Sequence, residues 1–314
     1  MGKRSTVEGV TADTPLAVAA PAVLLAKAEP LFALEKAARS GTDADAVHDM
    51  RVASRRLREA LRLFRPLYPS REMDAWYRKI RGVTRALGPV RDSDVFIEDF
   101  SRLATDLGAG GSRAVAFMVG HRMGTRAAEI ETLRRELSRL DLERTRKSFR
   151  RLAKSVVPGP EAQRRLGEYA HAAVAERAGV VAAAQPAALS EPDAAAQHLL
   201  RIDYKRLRYA VETFAPCYGS EFEGLHATLV AFQDTLGTLH DIHVFREMLG
   251  SREVLDQARR AGVSGNDLRE VDALLGVRAR EAFDRFTALV ARNPAGHLLP
   301  ALVLPLAPPE EPRG

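Results

Sequence analysis

Two stretches of this chain repeat each other so closely that any fold must place both in comparable surroundings. Residues 47–68 read V-H-D-M-R-V-A-S-R-R-L-R-E-A-L-R-L-F-R-P-L-Y, and residues 198–218 read H-L-L-R-I-D-Y-K-R-L-R-Y-A-V-E-T-F-A-P-C-Y. His48, Arg51, Arg56, Leu57, Arg58, Ala60, Phe64, Pro66 and Tyr68 recur without a gap as His198, Arg201, Arg206, Leu207, Arg208, Ala210, Phe214, Pro216 and Tyr218, and Arg55 recurs as Lys205. A second phrase follows each copy, L-G-P-V-R-D-S-D-V-F at 87–96 and L-G-T-L-H-D-I-H-V-F at 236–245. We read the chain as an internal duplication.

Placed on a helix, the first stretch separates into two opposed stripes. Met50, Ala53, Leu57, Ala60, Leu61 and Phe64 fall on one face, while His48, Arg51, Arg55, Arg58 and Arg62 recur at steps of three and four on the other. Like charges at that spacing cost a helix about 0.2–0.5 kcal/mol per pair. Only Glu59 is at hand to offset them, so the stripe points to an anion outside the helix. A merely solvated Arg-rich face carries interleaved acids, as the segment from Glu131 to Arg139 does; the stripes at 48–62 and 198–208 largely lack them. Matched positions in two halves would also let the stripes face each other. A third stripe lies in L-E-R-T-R-K-S-F-R-R-L-A-K-S-V-V, where Lys147, Arg150, Arg151 and Lys154 share a face.

The H-D-M-R-V-A-S-R-R-L-R and L-G-P-V-R-D-S-D-V motifs, with their echoes in the second half, resemble the CHAD domain, the conserved histidine α-helical domain. The resemblance covers most of residues 15–290. It implies an all-α fold of two pseudo-symmetric helical bundles, with basic residues lining a groove or pore that binds inorganic polyphosphate. On that basis the polyphosphate-binding candidates are His48, Arg51, Arg55, Arg56, Arg58, Arg62, Arg81, Arg85, Arg91, Lys147, Arg150, Arg151, Lys154, His198, Arg201, Lys205, Arg206, Arg208 and His240. Asp92 and Asp241, matched across the halves, are assigned to orienting neighbouring arginines. A chain of phosphates carries about one charge per unit, so it needs cations in a line, each worth about 1.5–3 kcal/mol when charge-assisted. Helices with an arginine every turn supply that line.

The alternatives are weaker on the residues themselves. No G-x-x-x-x-G-K-[ST] loop is present for a nucleoside triphosphate. Aromatics are not interleaved with the arginine rows, which weighs against single-stranded nucleic acid. Duplex nucleic acid is the secondary alternative, since phosphate contacts alone hold it. The other alternative is an enzyme that metabolises phosphoanhydrides, but no nucleophile elbow, paired carboxylates or E-x-E-x-K signature stands out, so a non-catalytic binding module without cofactor is expected. His240 and His243 could share a helix face, with His226 or Asp234 nearby, yet no H-E-x-x-H completes a metal site and none is assigned. His121, His171 and His297 are read as structural. His48 and His198 each open a basic stripe, and on protonation through about pH 6.5 they would add charge for an anion.

Composition agrees without deciding. The 314 residues carry a net charge of +6, and residues 47–91 hold twelve Arg or Lys against four acids. A single cysteine, Cys217, excludes a disulfide framework and fits a reducing compartment. We therefore expect a cytoplasmic protein, with polyphosphate or storage granules as a place of association. Lys3, Arg4 and the apolar run from Leu16 imitate a secretory leader, but Glu8, Asp13 and Pro21 argue against one. No run is read as approaching a membrane span, and no membrane partner is expected.

Along the chain the pattern predicts a disordered lead at 1–14, a CHAD-like unit at 15–292, and a Pro-rich tail at 293–314, loosely docked or disordered. The Pro-Gly-Pro at 158–160 divides the unit into halves at 15–157 and 160–292. Helices are expected at 16–39, 43–66, 70–86, 90–107, 112–139 and 142–156, then at 161–184, 192–215, 219–236, 240–261 and 267–292. Gly88-Pro89 is taken as a break, Asp45 or Thr42 as the cap of the second helix, and Asp141 as the cap of the sixth.

Overall fold

The first element is a long apolar helix, α1 (Leu16–Arg39), whose Leu16, Ala19, Ala20, Val23, Leu24, Ala28 and Leu31 are buried against its neighbours. The computed structural model describes residues 7–139, 142–190 and 193–306, and among these the fold is all-α with no strand. After α1 come α2 (Ala44–Leu63), α3 (Ser70–Leu103), α4 (Ala109–Ser138), α5 (Leu142–Ala153) and the single turn α6 (Pro160–Gln163). The second half contributes α7 (Leu166–Ser190), α8 (Ala194–Thr213), α9 (Phe222–Gly250), α10 (Arg252–Arg260), α11 (Gly265–Arg292) and α12 (Ala295–Val303).

The two halves use the same order of packing. α2 packs on α1 and α3, and α3 on α4; α8 packs on α7 and α9, and α9 on α11. The halves meet where α2 packs on α8 and α4 on α11. Asp43 caps α2 by accepting from Ala46 N at 2.9 Å, and Asp193 caps α8 by accepting from Ala195 N at 2.8 Å. The cap of α2 is thus Asp43, neither Asp45 nor Thr42; Asp141 lies outside the described residues. Phe64 and Phe214, which correspond in the repeated stretch, meet edge to face at 6.0 Å. At the other end Phe245 of α9 packs edge to face on Phe96 and Phe100 of α3, at 5.1 and 5.2 Å.

Several sequence expectations need correction. Gly88-Pro89 does not break the chain: α3 runs through Pro89 for 34 residues. Proline costs a helix interior about 3 kcal/mol, but burial of Val83, Leu87 and Val90 around it, and of Phe96 and Phe100 beyond it, holds the helix together. α9 is likewise one helix of 29 residues rather than two. Residues 7–14 of the expected disordered lead are ordered against the start of α7, with Gly167 N donating to Ala12 O at 2.8 Å and Leu166 N to Thr14 O at 3.0 Å. The tail is also built in as far as residue 306. Leu298, Leu299, Leu302 and Leu306 are buried, and Tyr218 Oη donates to Leu302 O at 2.7 Å. Finally, an 18-residue window of α1 reaches a mean hydropathy of 1.6, enough by length and composition to cross a membrane. The sequence reading missed this because α1 draws its hydropathy from alanines; here that face is spent on packing against α2.

Candidate functional site

Where α2 crosses α8, four cations from the two repeated stretches stand together. Arg51 and Arg55 of α2 and Arg201 and Lys205 of α8 lie one helical turn apart on their own helices and are all half-buried. Burial and the charge of Arg55 push Arg51 down to about 10, with Arg201 adding to the effect. Burial lowers Arg201 as well, against the attraction of Asp241 and with Arg55 opposing. Lys205 is the extreme: burial, then Arg55, Arg201, Arg51 and Arg208, push it down to about 6. In each case burial is the largest cause, and neighbouring cations add to it.

Two carboxylates and two glycines set the arginines in place. Asp92 accepts from Arg51 Nη2 at 3.2 Å, and Asp241 is the acid that acts most on Arg201. Asp92 thus holds Arg51 directly, whereas Asp241 acts on Arg201 through its charge. Asp241 is itself driven up to about 6, by burial against the pull of Arg201 and with Asp99 and Asp92 nearby. A Cβ on Gly88 would come within 2.7 Å of Arg51 Nη1, and one on Gly237 within 3.8 Å of Arg201 Nε. The repeated Leu-Gly phrase is therefore the floor on which each arginine lies.

Around this centre stand the histidines. His198 and His240 share a hydrogen bond between their Nδ1 atoms at 3.1 Å, while His48 lies near Arg91. All three have lowered proton affinity. Burial dominates in each case, helped by Arg91 at His48 and by Arg201 at His198 and His240, the last reaching about 4. A gain of charge at pH 6.5 is therefore displaced to lower pH. Arg81 and Arg85 are exposed, without ion pairs, on the row of α3 that also carries Tyr77, Gly88 and Asp92. They extend the cationic face.

Other candidates are occupied elsewhere. Arg56 and Arg208 both bind Glu212, Arg56 Nε at 2.6 Å, and His226 Nε2 donates to the same carboxylate at 2.9 Å. Burial opposes ionisation of Glu212, but His226, Arg208 and Arg56 outweigh it and hold the group at about 2. Arg62 is bound to Glu59 at 3.0 Å and to Tyr77, Arg58 lies over Tyr77, and Arg206 is bound to Asp203 at 3.2 Å. These five were expected to face an anion; with buried acids or a tyrosine in reach they are tied down instead. The third stripe is not brought to the centre either. α5 packs on α1 and α3 through Phe149, against Phe32 and Trp76, leaving Lys147, Arg150, Arg151 and Lys154 exposed on that side.

No motif or spacing marks Lys27, a buried lysine on the apolar α1 that donates to Glu212 O at 2.9 Å and is lowered to about 8, chiefly by burial. Glu212 could have been found, because the repeat departs there from Arg62 to an acid. Cys217 is buried as expected, its thiol pushed up to about 12.

The family model for the CHAD domain matches residues 22–250. The chain belongs to the CHAD domain family. Among solved structures, the CHAD domain from the plant Ricinus communis is 25% identical, with 98% of this chain and 96% of that chain covered at a TM-score of 0.60. PptA from Streptomyces chartreusis, 17% identical, is matched over 88% of this chain and 100% of its own at a TM-score of 0.67, a likeness of fold. A search of curated protein sequences returned no match. The CHAD match spans α2, α3, α8 and α9, the four helices that build the cationic face.

Proposed function

We propose that this CHAD protein binds inorganic polyphosphate, without turning it over, on the face built by Arg51, Arg55, Arg201 and Lys205. What supports the reading is that Arg51, Arg55, Arg201 and Lys205 of the two repeated stretches stand half-buried where α2 packs on α8, with Asp92 and Asp241 as the carboxylates beside them. Burial and neighbouring cations also lower Arg51, Arg201 and Lys205. Arg81, Arg85 and Arg91 lengthen the face, and His48, His198 and His240 stand at its margins. Arg56, Arg58, Arg62, Arg206 and Arg208 hold the helices rather than the ligand. A polyanion laid along the row would add charge-assisted contacts to the counter-charge that Asp92 and Asp241 already supply. The protein would act in the cytoplasm, with polyphosphate-rich granules as a place of association.

The test is titration of the chain with long-chain polyphosphate at two salt concentrations, beside tripolyphosphate and duplex DNA. Polyphosphate should bind tightest, with affinity falling steeply as salt rises because several phosphates are neutralised at once. Absence of binding at low salt overturns the reading. Preference for DNA at matched charge replaces it with the nucleic-acid alternative.

A further inference from the structure

Asp241 borders a second feature, a cleft of about 270 Å³ along the seam between the halves, where α3 of the first meets α9 and α11 of the second. Its floor is apolar: Leu103, Ile242, Phe245 and Leu275 are all buried, and Phe245 is fixed there by its edge-to-face contacts with Phe96 and Phe100. The polar groups of the lining are of two kinds. Toward solvent, each cation has an acid beside it. Arg102 is bound to Glu98 and, at 3.3 Å, to Asp99; Arg278 is bound to Asp106; and Glu281 and Arg285, both exposed, stand one turn apart on α11. Asp241 is different. Half-buried on α9, it has neither a hydrogen bond nor an ion pair among the described residues, and it feels Arg201 and Lys205 only through their charge while Asp99 and Asp92 oppose its ionisation. With Asp99 already shared with Arg102, the two carboxylates of the cleft carry more negative charge than the chain offsets there.

A buried apolar floor beside an unpaired carboxylate suits an organic cation, whose body the floor takes out of water and whose N–H groups the carboxylate accepts. An anion would meet Asp99 and Asp241. A metal ion would find no third ligand, since no three His, Cys, Asp or Glu side chains converge among the described residues. We propose that this cleft binds a small primary amine carrying an apolar body, with the ammonium donating to Asp241 and Asp99 and the body lying on Ile242, Phe245 and Leu275. The site stands apart from the polyphosphate reading, but it has a consequence for it. Asp241 is the acid that acts most on Arg201, so an ammonium placed there leaves Arg201 freer for a phosphate and adds positive charge beside the cationic face. Amine and polyphosphate therefore strengthen each other's binding by one and the same factor. This coupling, unlike the site, rests on reading the face as a polyphosphate-binding one.

The experiment titrates the full chain with phenethylamine, beside its neutral counterpart phenethyl alcohol and the anion hydrocinnamate, following the Ile242 methyl signal by NMR and the affinity by calorimetry. The amine should shift the Ile242 methyl saturably and bind at least about tenfold tighter than the alcohol, as a charge-assisted contact in place of a neutral one implies. Hydrocinnamate should not compete with it. Thr238→Trp, which sets an indole into the cleft from an exposed position on α9, should abolish amine binding and leave polyphosphate binding in place. Asp241→Asn should remove the preference for amine over alcohol, a loss that a merely apolar cavity would not show. No response at Ile242, equal affinity for amine and alcohol, or tighter binding of the anion overturns the site. Saturating polyphosphate should tighten the amine several-fold, and an amine affinity unmoved by it overturns the coupling. Amine binding by a chain that fails to bind polyphosphate upholds the site and removes the proposed function; polyphosphate binding with no amine response does the reverse.

Discussion

Arg51 reaches its place because residue 88 has no side chain. Gly88→Ala would set a methyl carbon within 2.7 Å of Nη1, whereas at Gly237 the same change makes only an ordinary contact of 3.8 Å with Arg201. Alanine favours a helix over glycine by about 1 kcal/mol. Gly88→Ala should therefore leave the melting temperature unchanged or raised yet weaken polyphosphate binding, and Gly237→Ala should weaken it less; equal effects on binding would count against the Arg51 geometry. Lys205 carries a second expectation. A bound polyanion restores its proton affinity from about 6 toward the ordinary 10.5, so binding at pH 7 to 8 should take up a proton. Affinity should rise as pH falls from the lysine range and level off below about 6, with the lowered histidines adding charge only in more acid solution. Calorimetry in buffers of different ionisation heat reads this directly, and zero net uptake contradicts it. The basic stripes were legible residue by residue because i, i+3 and i+4 spacing fixes a face. Which arginines are paired was legible only in part: Glu59 with Arg62 and Asp203 with Arg206 are i,i+3 pairs that spacing encodes, whereas Glu212 claims Arg56 of the other half through packing that spacing does not encode.

Helix limits were legible where capping chemistry is local and misread where burial overrides it. α2 and α8 begin at aspartates, and both give way to a 3-10 turn centred on Pro66 and Pro216. Pro89 inside α3, in contrast, is outweighed by a buried apolar face along the rest of the helix. The glycines at 108, 110 and 111 looked like a simple breaker. They also make room for the Glu270 carboxylate of α11, which accepts from Gly108 N at 2.7 Å and Gly111 N at 2.9 Å and so caps α4 from another helix. Glu270→Ala should cost about 1–2 kcal/mol, as loss of a helix cap does. A denaturant melt that shows no change would mean that water serves those amides equally well. The order of the 295–306 segment was missed because its prolines suggest a loose tail, while Leu298, Leu299 and Leu302 of α12 and Leu306 beyond it dock the segment.

For the assembled chain, the decisive contrast lies between two cation clusters on the α2–α8 crossing. One is closed by Glu212, which draws Arg56 from the first half and Arg208 and His226 from the second. Glu212→Gln strips that cluster of its counter-charge and should destabilise the protein by roughly 3–5 kcal/mol. The wild-type carboxylate, held at about 2 against an ordinary 4.5, contributes stability that is present above the ordinary value and lost as pH falls toward 2. Denaturant midpoints between pH 6 and 3 should thus fall more in the wild type than in the variant; parallel curves would contradict this role. The other cluster, Arg51, Arg55, Arg201 and Lys205, has only Asp92, on Arg51, and Asp241, itself driven up to about 6, beside its four cations, and it is where we propose the ligand binds. Polyphosphate titration of the double variant Arg55→Gln/Lys205→Gln against a control, Lys147→Gln/Arg151→Gln on α5, tests this most directly. The central variant should lose affinity by at least about a hundredfold, as removal of two charge-assisted contacts implies, and show a shallower salt dependence, with the control unchanged. Equal losses in the two variants, or none in the first, would contradict the assignment.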